Sequence, residues 1–365
     1  MKKITAFLLA ALLSVSVLSG CGTPADKAET KSSVSETESV KAAEDSQKED
    51  GTETGESKES STAAPVDVRV MALKGPTAMG MVKMMDDAEA GKLTNENYNF
   101  TIAASVDEVT PKLVKGEADI AAVPANLASV LYNNTEGGVQ VLAINTLGVL
   151  YIAENGDTIQ SVKDLAGKTI YASGKGATPE YVLNYILSAN GLDPQKDVTI
   201  EWKSEHSECV AAMTKDDTAI AMLPQPFLTT AQTKNENIRA ALDLTEEWEK
   251  VQENADEKSS LLTGVVVVRT DFAKENPEAV ADFLDHYKAS VEFVNSDVDT
   301  GAALVGKYDI VPEPVAKKAI PECNIVYIDG ADMKAQLSGY LSVLMEQNAK
   351  AVGGQLPGDD FYYSR

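Results

Sequence analysis

Cysteine and histidine are almost missing from this 365-residue chain, which holds 3 of the first and 2 of the second. Cys209 and Cys323 lie far apart, and neither belongs to a CxxC or Cys/His cluster of metal-ligand spacing. A disulfide between them stays open, with two free, buried thiols the expectation. His206 and His286 are the only histidines, so a two-histidine metal site has no local signature and a Ser-His-Asp triad would rest on one isolated ring. Both are expected as structural or surface histidines. Aromatic residues make up 6%, with Trp202 and Trp248 the sole tryptophans, which leaves few stacking platforms. Positive charge is also short: 32 basic against 56 acidic residues leave a net charge of −24. That balance argues against nucleic acid and anionic lipid as partners. Beyond the first 20 residues no apolar run is long enough to cross a bilayer.

The start of the chain is of another kind. Lys2 and Lys3 are followed by an uncharged, apolar stretch at 4–18, too short to span a bilayer comfortably but suited to a signal-peptide core. Leu18-Ser19-Gly20-Cys21 resembles the bacterial lipobox, in which small residues admit the lipoprotein peptidase and the thiol receives diacylglycerol. Residues 1–20 are therefore expected to be removed and Cys21 to be the lipid anchor. Each buried acyl methylene contributes about 0.8 kcal/mol, so two or three chains hold a protein on a membrane without a transmembrane helix. Residues 24–64 contain only Val34 and Val40 as large apolar side chains and cannot bury enough surface to offset their ordering entropy. Residues 21–64 read as a disordered tether, with a reach of roughly 35 Å as a flexible coil.

Residues 65–365 are about twice the usual single-domain length. Strand-like runs at 67–73, 99–103, 120–123, 139–144 and 149–153 alternate with helical patterns at 79–88, 106–115 and 126–132. Such alternation implies βαβ units and a mainly parallel sheet covered on both faces. A second unit follows Gly156, with strands at 169–172, 198–202 and 219–223 and a helix at 207–214. Its clearest helix has Thr178 as N-cap and Pro179 in first position, then Val182, Tyr185, Ile186 and Ala189 on one stripe, with Gly191 and Pro194 past the end. The polar stretch 254–258 breaks the pattern. The apolar run 262–268 reads as a buried strand returning to the first unit, and Asn276-Pro277 opens a long helix carrying Val280, Phe283, Leu284, Tyr287 and Val291. A last helix, 333–352, stopped by Gly353-Gly354, is expected to pack across the first lobe. The expected organisation is a two-lobed α/β body: residues 65–155 and 259–365 as lobe 1, 156–258 as lobe 2. Hinge crossings are expected near 147–153 and 261–265, with a cleft between the lobes.

In open α/β sheets ligands bind outside the carboxyl ends of the strands, where helix N-termini offer unpaired amides. Four segments take that place: Gly75, Pro76 and Thr77; Pro124 and Asn126; Ser173, Gly174, Gly176, Ala177 and Thr178; and Gln225 between two prolines. These are the candidate ligand-binding residues, although turn chemistry alone accounts for residues of the same types. The run Gly174-Lys175-Gly176-Ala177-Thr178 lacks the glycine-x4-glycine-lysine spacing of a nucleotide phosphate loop, leaving a non-nucleotide anion or carboxamide nest open. Neutral donors dominate, and Lys74 and Lys175 are expected to be solvated. An anionic organic solute such as a sulfonate or carboxylate is expected, with a flat pyrimidine as the alternative.

Four further stretches carry a resemblance: Gly116-Glu117-Ala118-Asp119-Ile120-Ala121; Pro179-Glu180-Tyr181-Val182-Leu183 with Asn190-Gly191-Leu192; Leu223-Pro224-Gln225-Pro226-Phe227; and Asn276-Pro277-Glu278-Ala279-Val280. Over roughly 66–362 the chain resembles type II solute-binding proteins of ABC importers, in the group of alkanesulfonate, nitrate and thiamine-precursor binders. Relatives often carry Glu where this chain has Gln225, which removes a carboxylate there.

The resemblance implies a type II periplasmic-binding-protein fold and a non-catalytic, monomeric, lipid-anchored receptor on the outer face of a bacterial cell membrane. Such a receptor hands a small molecule to a membrane permease and its ATPase, without cofactor or metal. A pyridoxal-phosphate enzyme on the same fold is the first alternative, but that class uses a cysteine-rich motif not found here. A receptor reporting to a membrane sensor is the second.

Overall fold

The computed structural model describes residues 65–253 and 259–365. The expected signal peptide, Cys21, the tether and the polar stretch 254–258 lie outside the described residues. The chain begins with β1 (Val66–Leu73), α1 (Pro76–Met79), α2 (Val82–Glu89), β2 (Glu96–Ala103), α3 (Val106–Val114), β3 (Ile120–Pro124), α4 (Ala125–Asn134) and β4 (Val139–Leu147). Next come β5 (Leu150–Asn155), β6 (Thr169–Ser173), α5 (Thr178–Ala189), β7 (Thr199–Lys203), α6 (His206–Met213), β8 (Ile220–Pro224), α7 (Phe227–Lys234), β9 (Ile238–Asp243) and α8 (Leu244–Gln252). The last part holds β10 (Leu262–Arg269), α9 (Thr270–Glu275), α10 (Pro277–Ser296), α11 (Val298–Lys307), α12 (Glu313–Ala319), β11 (Ile325–Ile328) and α13 (Gly330–Gln347).

Two sheets result, of order β11-β4-β10-β3-β1-β2 and β7-β6-β8-β5-β9. As βαβ units require, β1 is parallel to β2 and β3, and β6 to β7 and β8. Neither sheet is mainly parallel, which corrects the sequence expectation: two of the five neighbouring pairs in the first sheet and two of the four in the second run parallel. β10 is antiparallel to β3 and β4, β11 to β4, and β5 to β8 and β9. Connectivity is the cause. β4 leaves the first sheet at its carboxyl end, and through Gly148-Val149 the chain enters the second sheet beside the carboxyl end of β8, where Leu150 pairs with Pro224. β10 comes back the same way, with Gly264 opposite Pro124. The change of sheet therefore falls at Gly148, earlier than the boundary expected at residue 155, and β5 belongs to the second sheet.

Periodicity places the long helices well. Val280, Phe283, Leu284, Tyr287 and Val291 all lie buried along α10, while α5 buries Val182, Leu183, Ile186 and Leu187 and leaves Ala189 exposed. One apolar cluster passes without a break beneath both sheets, joining Val123, Val141 and Val265 to Ile152, Ile170 and Met222. α13 packs on β4 and α4, as expected, and also reaches α5. Its Tyr340 ring lies 5.6 Å from Trp248 of α8, and Trp248 lies 4.6 Å from Tyr185 of α5. Trp248 is fully buried and its indole N–H donates to Ser259 O at 3.1 Å, so its burial costs no unpaired donor. Cys209 and Cys323 are both free and buried.

Candidate functional site

The register at the two crossings brings the carboxyl edges of β3, β4 and β8 to the place where the chain passes between sheets. On the first sheet, Gly75 adopts φ 136° and turns the chain into α1. The Thr77 hydroxyl donates to Leu73 O at 2.8 Å, and its carbonyl accepts from Asn145 Nδ2 at 3.4 Å. Gly264 lies against this pair so tightly that a Cβ there would come within 2.5 Å of Asn145 Oδ1 and 2.6 Å of Thr77 Cγ2. Asn145 and Gly264 were not read as site residues. Both carried a signal, since Asn145 follows the apolar run Val141–Ile144, Gly264 precedes the run Val265–Val268, and a strand glycine marks a close approach.

Pro124 ends β3 and precedes the first turn of α4, where Asn126 is buried. Its Nδ2 donates to Ala351 O at 3.1 Å, and its Oδ1 accepts from the Thr178 hydroxyl at 3.2 Å. Thr178 is thus not the N-cap of α5. Ala177 takes that position in extended backbone, and Thr178, the first helical residue, turns its hydroxyl to the other sheet's edge instead of to its own helix. Tyr340 O–H donates to Thr178 Oγ1 at 3.4 Å, which completes a buried link between α4, α5 and α13.

The rest of the Ser173–Thr178 loop divides. Ser173 is buried and lies 2.5 Å from His206 Nδ1. Burial pushes the imidazole down to about 4, so it is neutral at neutral pH, and its ring lies 5.0 Å from Phe227. Gly174 and Gly176 adopt the positive φ of an anion nest, but the Gly176 N–H already donates to Glu180 Oε2 at 2.6 Å. The first-turn acid of α5 fills the place an outside anion would take. Lys175, Glu180 and Trp202 line a cavity of about 450 Å³ on the outer side of α5. Lys74 pairs with Asp309 at 3.4 Å.

Gln225 takes a third direction. Its Oε1 accepts from the Thr229 N–H at 3.3 Å and hydroxyl at 2.8 Å. With Tyr151 it lines a cavity of about 540 Å³ that Lys318 and Glu322, from α12 and the turn after it, also line. Of the sequence-chosen residues, then, the structure joins Asn126 to Thr178 and sets Thr77 beside the β3–β4–β10 edge; Ser173, Gly176 and Gln225 have protein partners of their own.

Two α/β sheets joined by two extended crossings, with carboxyl edges turned to the crossings, define a two-lobed binding protein of the type II periplasmic class. Residues 91–307 match the family described as ABC transporter, phosphonate, periplasmic substrate-binding protein, and the chain belongs to that family. Among solved structures it is similar to an ABC transporter from Parabacteroides distasonis, at 21% identity over 82% of this chain and 99% of that one, with a TM-score of 0.68. It is also similar to the periplasmic aliphatic sulphonate binding protein SsuA of Escherichia coli, at 16% identity over 78% and 93% of the two chains and a TM-score of 0.62. The periplasmic nitrate-binding protein NrtA of Synechocystis matches at 14% identity over 69% of each chain, TM-score 0.55. No curated protein sequence matches. The protein is the substrate-binding component of an ABC import system for a small solute, and it is not an enzyme.

Proposed function

We propose that the solute is a small organic oxyanion, a phosphonate, sulfonate or carboxylate, held between the carboxyl edges of the two sheets as the lobes close. The observation that carries this reading is the pairing of Leu150 with Pro224 and of Gly264 with Pro124, which turns both edges toward the crossings. In this reading first-turn amides of α1 and α4 face the solute, and helix N-termini stabilise an anion without a full counter-charge. Gly75, Pro76, Thr77, Pro124 and Asn126, with Ser173, Gly174, Ala177 and Thr178, are the residues we assign to it. A flat heterocycle fits less well, because Trp248 is fully buried with its N–H satisfied and Trp202 lines the outer face of α5.

In this reading lobe 1 comprises residues 65–147 and 262–365, and lobe 2 residues 150–252. Cys21 carries the acyl anchor, residues 21–64 tether the body to the cell membrane, and the closed form docks on a permease coupled to an ATPase. The mass of the small molecule released from the purified full chain on mild denaturation tests the ligand class. A mass and fragmentation pattern of an organic oxyanion supports it; a neutral pyrimidine contradicts it.

A further inference from the structure

We propose that the 540 Å³ cavity between α7 and α12 is a second binding site, separate from the one between the carboxyl edges, and that it takes a small zwitterion of the aminocarboxylate class. Its inner wall is made of buried polar groups with free donors. Tyr151 is 9% exposed, lines the cavity, and its hydroxyl has no hydrogen-bond partner among the described residues. Gln225 is 4% exposed, and both donors of Thr229 hold its Oε1, which leaves the Nε2 amide hydrogens as the free end. Tyr151 lies opposite Leu223 in the β5–β8 pair, and the Gln225 N–H donates to Val149 O, so Tyr151 and Gln225 share one face of the sheet as diagonal neighbours. Burial and the nearby Asp243 and Glu322 push the phenol up to about 12, which keeps it a donor.

Two buried donors without a hydrogen-bond partner, with the Lys318 ammonium on the same cavity, suit a ligand that ends in a carboxylate or similar oxygen pair. Glu236 and Glu322 line the same cavity and offer carboxylates to an ammonium end. The volume is within the range of small-molecule sites. Because α7 and β5 come from one sheet and α12 from the other, the site exists only while the two sheets keep this arrangement, and occupancy stabilises it.

Calorimetric titration of the full chain with γ-aminobutyrate, set against butyrate and butylamine, tests the proposal. Saturable γ-aminobutyrate binding is expected, with each single-charge analogue at least about tenfold weaker. Tyr151→Phe keeps the ring packing and should weaken γ-aminobutyrate about tenfold with the unfolding midpoint unchanged, and Gln225→Glu, which keeps the contact to Thr229, should weaken it at least tenfold, as loss of one charge-assisted hydrogen bond implies. Methylphosphonate binding should be unaffected by Tyr151→Phe. No saturable binding, affinity indifferent to both variants, butyrate binding as tightly as γ-aminobutyrate, or competition between γ-aminobutyrate and methylphosphonate would each overturn it.

Discussion

The Thr178 hydroxyl donates to Asn126 Oδ1 across 3.2 Å, with the two side chains 0% and 1% exposed. The bond joins the first turns of α5 and α4, and so one sheet's edge to the other's. Thr178→Val preserves volume and leaves Asn126 Oδ1 buried without its donor. The expected cost is about 1–3 kcal/mol, read as a lower urea midpoint at unchanged slope. An unchanged midpoint would mean the bond does not hold the sheets together.

The crossing from β4 to β5 is equally tight. A Cβ on Gly148 would lie 2.1 Å from Thr245 Oγ1, an oxygen buried without a partner among the described residues, while Asn324 Nδ2 donates to Gly148 O at 2.6 Å. Gly148→Ala should destabilise by about 1–3 kcal/mol through overpacking. Thr245→Ala alone should be mild, since it removes an unpaired hydroxyl, and it should recover part of the Gly148→Ala loss. The two effects should therefore be non-additive in a double-mutant cycle, and strict additivity would place the strain elsewhere.

Glu96 gives a pH dependence of known sign. It is buried, accepts from Tyr98 O–H at 3.2 Å, and burial together with the neighbouring Asp282 pushes its carboxyl up to about 7 from the ordinary 4.5. The folded state then holds a proton that the unfolded chain releases. This contribution is fully present below about pH 4.5 and is lost as pH rises through about 7. Denaturation of Glu96→Gln against the wild type should show the variant gaining relative stability from pH 5 to pH 8. A constant difference would show that Glu96 is ionised throughout.

Much of this architecture could be read from local pattern, and the losses have physical causes. Apolar stripes placed α5 and α10 because one face is buried from Thr178 to Leu187 in the first and from Ala279 to Val294 in the second. Strand direction in β5 and β10 could not be read, since it depends on which edge of a sheet the chain reaches. The helices α7, α8, α11 and α12 and the strands β9 and β11 went unread, being short and of mixed composition. Gly75, Thr77 and Asn126 lie just past the carboxyl ends of β1 and β3, as strand-end reasoning expects. Thr178 was misjudged because a helix-start threonine serves equally as cap or as a bond to another element, and only the packing of α4 decides. Gly176 carries the residue type of an anion nest, but its occupant, Glu180, is visible only once the helix turn is built. Tyr151 left no local signal: it is one residue of an apolar strand.

The anchor can be tested in cells. Cys21→Ser should leave the folded part intact and abolish fatty-acid labelling, releasing the protein or leaving an unprocessed precursor. Continued labelling of the variant would disprove Cys21 as the acylated residue.

The central claim, a solute held as an oxyanion between two carboxyl edges, is tested most directly by calorimetric titration of the full chain with methylphosphonate, ethanesulfonate, acetate and a hydroxymethylpyrimidine. The account predicts saturable binding of at least one of the anions at one per chain, accompanied by a smaller radius of gyration, and no binding of the neutral pyrimidine. Saturable binding of the pyrimidine alone would contradict it.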